Sequence, residues 1–145
     1  MAKYLKSKPL TIAQQKAGLL FTYHDLVTVG KNRNAVDCQI RLRPTENSRE
    51  YTIRILYKGY GRPQAWMLDP PLELFEGTKP HHIFGEDQSG HPELCVYKSG
   101  QDKWDSQKSL ASVFVPWVIT WLYAYEIWLI TGEWIYPEAG TGKKE

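Results

Sequence analysis

Residues 110–130 read LASVFVPWVITWLYAYEIWLI, followed by Thr131-Gly132. This run is nearly long enough to span a bilayer. Pro116 and Glu126 interrupt it, and a carboxylate in mid-span is costly in lipid. Trp117, Trp121, Tyr123, Tyr125 and Trp128 are spread along it rather than gathered at its ends as interfacial anchors are. A buried core helix is therefore expected, in preference to a membrane span or an interfacial anchor. Trp117, Trp121, Tyr125 and Trp128 recur on one side and Ile119, Leu122 and Ile130 on another, so the helix is apolar all round and should be buried all round. Gly132 should end it. Glu126 shares the Ile119 side, so it needs a partner, with a backbone N–H or an arginine expected.

Upstream of this helix, residues 76–108 lose all periodicity and are rich in Gly, Pro, His, Asp and Lys, which predicts a long irregular loop. Further back, Cys38, Ile40 and Leu42 alternate with Gln39, Arg41 and Arg43, the pattern of a half-buried strand. PTENSRE (44–50) is a polar turn. Tyr51, Ile53, Ile55 and Tyr57 form one face of a second strand, and KGYGRP (58–63) turns the chain into a third over 64–68. Asp69-Pro70-Pro71 ends that strand because proline cannot donate to a ladder; residues 72–75 are expected as a short fourth strand. At the N-terminal end Thr11 caps a helix with Gln14 as its reciprocal partner, and the helix fades near His24 or Asp25. The expected fold class is α+β: an N-terminal helix, an antiparallel β-meander of about four strands, an irregular loop and a long C-terminal helix. Residues 1–145 are expected to form one domain, with flexible ends at 1–9 and 138–145.

Composition narrows the function. Six Trp, nine Tyr and four Phe exclude a wholly disordered chain. A net charge of +2 argues against a nucleic-acid coat. The charge is nonetheless lopsided: residues 1–72 carry 12 Lys/Arg and 5 Asp/Glu, residues 73–145 carry 6 and 11. Arg41, Arg43 and Arg54 should share a solvated sheet face. Two cysteines are too few for a disulfide scaffold, and the basic N-terminus lacks an apolar stretch, so a cytoplasmic protein with free thiols is expected, without nucleic acid or membrane as partner. Phosphate-loop, GxSxG and HExxH patterns are absent, and no cofactor is expected.

The soft nucleophiles and ligands concentrate in one window: His81, His82, His91 and Cys95. Cys95 follows a Gly-His-Pro turn and is either a small buried hydrophobe or a thiolate nucleophile assisted by an imidazole. Cys38, on the apolar face of its strand, reads as core. A zinc site of His81 or His82 with His91 and Cys95 is a weaker alternative, since no paired C-x₂-C exists.

The order helix, meander, Pro70-Pro71, His-containing loop, Leu94-Cys95, Trp104 and helix resembles the ubiquitin-conjugating enzyme fold. The closer resemblance is to the stand-alone ubiquitin-conjugating-like proteins of bacterial antiphage operons, those of cyclic oligonucleotide-based antiphage signalling systems (CBASS). It is carried by His82-x-Phe84, Leu94-Cys95-x-Tyr97, Trp104, Ser109-Leu110-Ala111, Pro116-Trp117, Trp121-Leu122, Tyr125-Glu126-x-Trp128 and Thr131-Gly132-x-Trp134. It implies a thioester carrier in which Cys95 accepts the C-terminal carboxyl of a partner, a cGAS/DncV-like nucleotidyltransferase. It also implies His82 as the site histidine; His91 is the competing candidate to tune the thiol, and Asp102, close to Trp104 in the sequence, is expected to orient an incoming amine. The family's His-Pro-Asn is replaced here by His81-His82-Ile83-Phe84, so the Asn amide is missing. The 13-residue gap from His82 to Cys95 is longer than usual. A non-catalytic adaptor that binds the partner's tail is the rival expectation.

Overall fold

A computed structural model describes residues 8–80, 82–97 and 103–135. Helix α1 spans Ile12–Tyr23. Its capping box closes as expected: Gln14 N–H donates to Thr11 Oγ1 (3.0 Å) and Thr11 N–H to Gln14 Oε1 (2.9 Å). A short 3₁₀ turn, His24–Leu26, leads into strand β1, Val27–Val29. Then follow β2 (Val36–Leu42), β3 (Tyr51–Tyr57), β4 (Gln64–Asp69), β5 (Ile83–Glu86) and β6 (Pro92–Leu94). A π-helical segment, Leu110–Phe114, runs directly into helix α2, Val115–Thr131.

The six strands form one antiparallel sheet in the order β1-β2-β3-β4-β6-β5. β2 and β3 pair through seven consecutive rungs, from Val36↔Tyr57 to Leu42↔Tyr51. Val36, Cys38, Ile40 and Leu42 point inward with Tyr51, Ile53, Ile55 and Tyr57, as a two-residue period requires. Both helices cover this inner face, and one apolar cluster joins Leu19, Ile40, Ile53, Leu110, Phe114 and Leu122. The buried amide of Gln15 ties α1 to the π segment: Nε2 donates to Lys108 O and Oε1 accepts from Leu110 N–H, both at 2.8 Å.

The structure corrects the expected architecture in four places. Residues 72–75 are not a strand. After Pro70 and Pro71 the chain leaves the sheet, Glu73 N–H donates to Tyr125 Oη (2.7 Å), and Phe75 pairs only with Thr78. The irregular stretch 76–108 contains β5 and β6, hidden by Gly85, Pro92 and a register shift between Ile83 and Gly85. The three-residue β1 went unpredicted because it is too short to show a period. The long helix is not buried all round: Ile130 is 80% exposed and Tyr123 39%, although Leu122 is fully buried. The segment Leu110–Thr131 is long and apolar enough to cross a membrane, yet here Val118, Trp121, Leu122 and Tyr125 pack into the core.

Glu126 does have partners, but hydroxyls rather than an arginine or a backbone N–H. Ser48 Oγ donates to its Oε1 (2.7 Å) and Tyr51 Oη to its Oε2 (2.9 Å), fastening α2 to the β2–β3 turn. Burial, then the adjoining carboxylate, holds the Tyr51 phenol far above its ordinary value. The three arginines each have an intramolecular partner. Arg54 grips Asp37 with two bonds (2.9 and 2.8 Å), Arg43 donates to Ser48 O (2.7 Å), and Arg41 to Asp25 O (2.9 Å).

Candidate active site

The β5–β6 hairpin closes the long gap in the sequence. Ile83 lies opposite Leu94, and one step further Cys95 N–H donates to His82 O at 3.0 Å. The 12 intervening residues are thus folded away, and the two candidate residues meet at the open end of the hairpin. Cys95 is partly exposed; His82 is 5% exposed. The His82 carbonyl also accepts from Trp121 Nε1 (3.0 Å). Its ring stacks on Trp134, with centroids 4.3 Å apart and planes at 23°.

Trp134 reaches His82 because α2 ends at Gly132. Gly132 adopts φ 79°, and its N–H donates to Trp128 O (2.7 Å), turning the chain back over the hairpin. Trp121 lies beside Trp134 at 5.3 Å. Neither tryptophan carried a site role in the sequence reading. The signal was the spacing Trp121…Thr131-Gly132-x-Trp134: a glycine stop followed two residues later by a large aromatic ring.

His91 lies at the other end of the hairpin. Its ring Nδ1 pairs with Asp87 Oδ2 (2.9 Å), its N–H donates to Asp87 Oδ1 (2.8 Å), and its carbonyl accepts from Asp87 N–H (2.9 Å). These bonds close the turn, four residues along the chain from Cys95. Asp102 and His81 lie outside the described residues. Among the described residues no three His, Cys, Asp or Glu side chains converge as metal ligands.

A cleft of about 290 Å³ is lined by Arg62, Pro63, Gln64 and Phe84, together with Glu93 and Tyr97, which lie two residues either side of Cys95 in the sequence. The Arg62 guanidinium lies over the Tyr97 ring (4.4 Å) and near that of Phe84 (5.7 Å), within cation–π range. Tyr97 Oη donates to Pro63 O (2.5 Å). Burial pushes the Tyr97 phenol well up; Arg62 opposes this, while Glu93 and Cys95 add to it.

Cys38 differs in every respect. It is 2% exposed in mid-ladder, and burial pushes its thiol up to about 12. No curated protein matches the sequence. A family model described as type II CBASS E2 protein matches residues 15–141, which takes in α1 beyond its first turn, the whole sheet, the hairpin with His82 and Cys95, and α2. The chain therefore belongs to the type II CBASS E2 family.

Proposed function

We propose that this E2-like protein is a thioester carrier, in which Cys95 accepts the C-terminal carboxyl of the CBASS cyclic-nucleotide synthase, a cGAS/DncV-like nucleotidyltransferase, in the cytoplasm. One observation supports this reading above the others: a partly exposed cysteine is held opposite a buried, stacked histidine by the Cys95 N–H···O His82 backbone bond. Family membership supplies the E2-like role in a CBASS system.

In this reading the Cys95 thiolate attacks the carbonyl of an acyl group that a separate protein has activated. The activating group leaves with its bonding electrons, and a carbon–sulfur bond forms. A second nucleophile then attacks the thioester carbonyl and Cys95 departs as thiolate. The Cys95 N–H is committed to His82 O, so it does not serve the oxyanion that the missing Asn would hold. The His82 ring takes that part, or accepts the thiol proton. His91 acts through the hairpin turn, and Asp102 orients an incoming amine, which Asp102→Asn tests by slowing transfer without slowing loading.

The decisive experiment is intact mass spectrometry after co-expression with the operon neighbours, with denaturation in the absence of reductant. The expected adduct has the partner's mass, is cleaved by thiol and by hydroxylamine, and becomes a reductant-stable ester in Cys95→Ser. Non-covalent binding with no adduct replaces this reading with the adaptor.

A further inference from the structure

β5 is an outermost strand of the sheet. It is flanked by a cavity of about 440 Å³ lined by the four residues of β5, by Leu72, Lys79 and Pro80, and by Pro92 of β6. A second cavity, of about 400 Å³, shares Leu72, Lys79, Glu86 and Pro92 with it and continues toward the hairpin turn. Lys79 Nζ and Glu86 Oε2 pair across this groove at 3.7 Å, both well exposed. Phe84 is 49% exposed.

Beside these cavities, the backbone of β5 turns hydrogen-bonding groups outward from the sheet edge. The His82 carbonyl points inward to Cys95 N–H, so the N–H of Ile83, on the opposite side of the same trans peptide, points outward. The Asp87 N–H points inward to His91 O, so the Glu86 carbonyl points outward by the same argument. No backbone hydrogen bond joins β5 to any described segment other than β6. An edge of this kind is complementary to one occupant, an extended polypeptide.

We infer that this edge docks the C-terminal tail of the partner protein as an added strand, antiparallel to β5, so that the tail's last residues pass Ile83 and end at His82 and Cys95. This rests on the carrier reading for the identity of the tail and adds how the tail is held. The direction follows from position. The start of β5 adjoins Cys95 through the Cys95 N–H···O His82 bond, whereas its far end leads into the hairpin turn. A strand running the other way would carry the carboxyl end away from Cys95.

The test is amide hydrogen exchange on the full wild-type chain, with and without a synthetic peptide of the tail of the operon's nucleotidyltransferase, its carboxylate free and unactivated. No covalent chemistry is involved, so binding is read alone. The expected result is slowed exchange at the Ile83 amide, with protection confined to β5 and residues 72–80. Ile83→Pro removes the edge donor without removing a ladder bond and should weaken peptide binding about fivefold, the worth of one hydrogen bond. Because that variant also loses a packed side chain, the wild-type exchange pattern decides. Protection elsewhere, or none, overturns the docking mode; if a Cys95 adduct forms all the same, the carrier reading survives it. Edge protection with no adduct in the co-expression experiment upholds the docking mode and removes the carrier reading.

Discussion

The β2–β3 pair and the β5–β6 hairpin belong to the same sheet and are built on opposite plans. β2 and β3 are seven residues each, share an unbroken register and bury every second side chain. β5 and β6 are four and three residues long, pair through a register shift and carry a proline and a glycine at φ 148°. One cysteine lies within β2 and the other directly after β6. In the long ladder Cys38 is sealed in and its thiol is pushed up to about 12. At the end of the short hairpin Cys95 is left partly exposed, its backbone N–H bonded to His82 O. Regular pairing makes a scaffold and silences a thiol; an interrupted ladder ends where a side chain can meet a substrate.

The largest effect should separate the two cysteines by chemistry. Cys95→Ala is expected to abolish the reductant-sensitive adduct in the co-expression experiment, while Cys38→Ala leaves it in place on a less stable protein. Adduct yield by intact mass, beside a urea melt of each variant, checks both halves. An adduct that persists in Cys95→Ala and vanishes in Cys38→Ala would invert the comparison.

The next contrast is in stability. Ile53 is fully buried at the middle of β3, so Ile53→Ala should cost about 2–5 kcal/mol. Phe84 is 49% exposed on β5, so Phe84→Ala should stay within about 0.5 kcal/mol. Chemical denaturation of both measures the difference; equal costs would mean that the hairpin is as much a part of the core as the ladder.

The same division explains what could be read from the sequence. The ladder was legible because Cys38-x-Ile40-x-Leu42 and Tyr51-x-Ile53-x-Ile55-x-Tyr57 repeat long enough to display their period. The cap of α1 was legible because Thr11 and Gln14 are a local device with fixed spacing. The hairpin was not, since its pairing is held by a few rungs and by the Asp87–His91 bonds, which leave no periodic trace. Cys95 was singled out by its residue context and His82 by resemblance, but their meeting depends on the hairpin. Glu126 was rightly expected to be paired; its partners Ser48 and Tyr51 come from a turn and a strand that only folding brings to α2.

Gly132 links the two regions, because it ends the helix lying on the ladder and aims Trp134 at the hairpin. A Cβ placed there would stand 2.6 Å from Phe75 Cε2, at a φ of 79° that side chains avoid. Gly132→Ala should therefore cost about 1–2 kcal/mol in backbone strain alone, before the Phe75 ring moves. It should also loosen the Trp134–His82 stack, seen as increased quenching of tryptophan fluorescence by iodide. A stable protein with unchanged quenching would show that Trp134 is held by its own packing, not by the helix stop.

The smallest effect is a slope with pH, and it tests the silent thiol directly. In the folded protein Cys38 holds its proton up to about 12, whereas an unfolded cysteine loses it near about 8.5. Between those values the folded state binds the extra proton, so stability must fall as pH rises; below the unfolded value the contribution is fully present. The slope from one such group is at most about 1.4 kcal/mol per pH unit. Tyrosines held above their ordinary values, Tyr51 and Tyr97 among them, add slopes of the same sign only as pH approaches about 10. Urea melts at pH of about 8.5, 9 and 9.5, from the cysteine onset to below the tyrosine onset, should therefore report the thiol contribution, and Cys38→Ala should flatten the curve there. If the slope survives in Cys38→Ala, another group carries the proton, and the sealed ladder is not what distinguishes the two thiols.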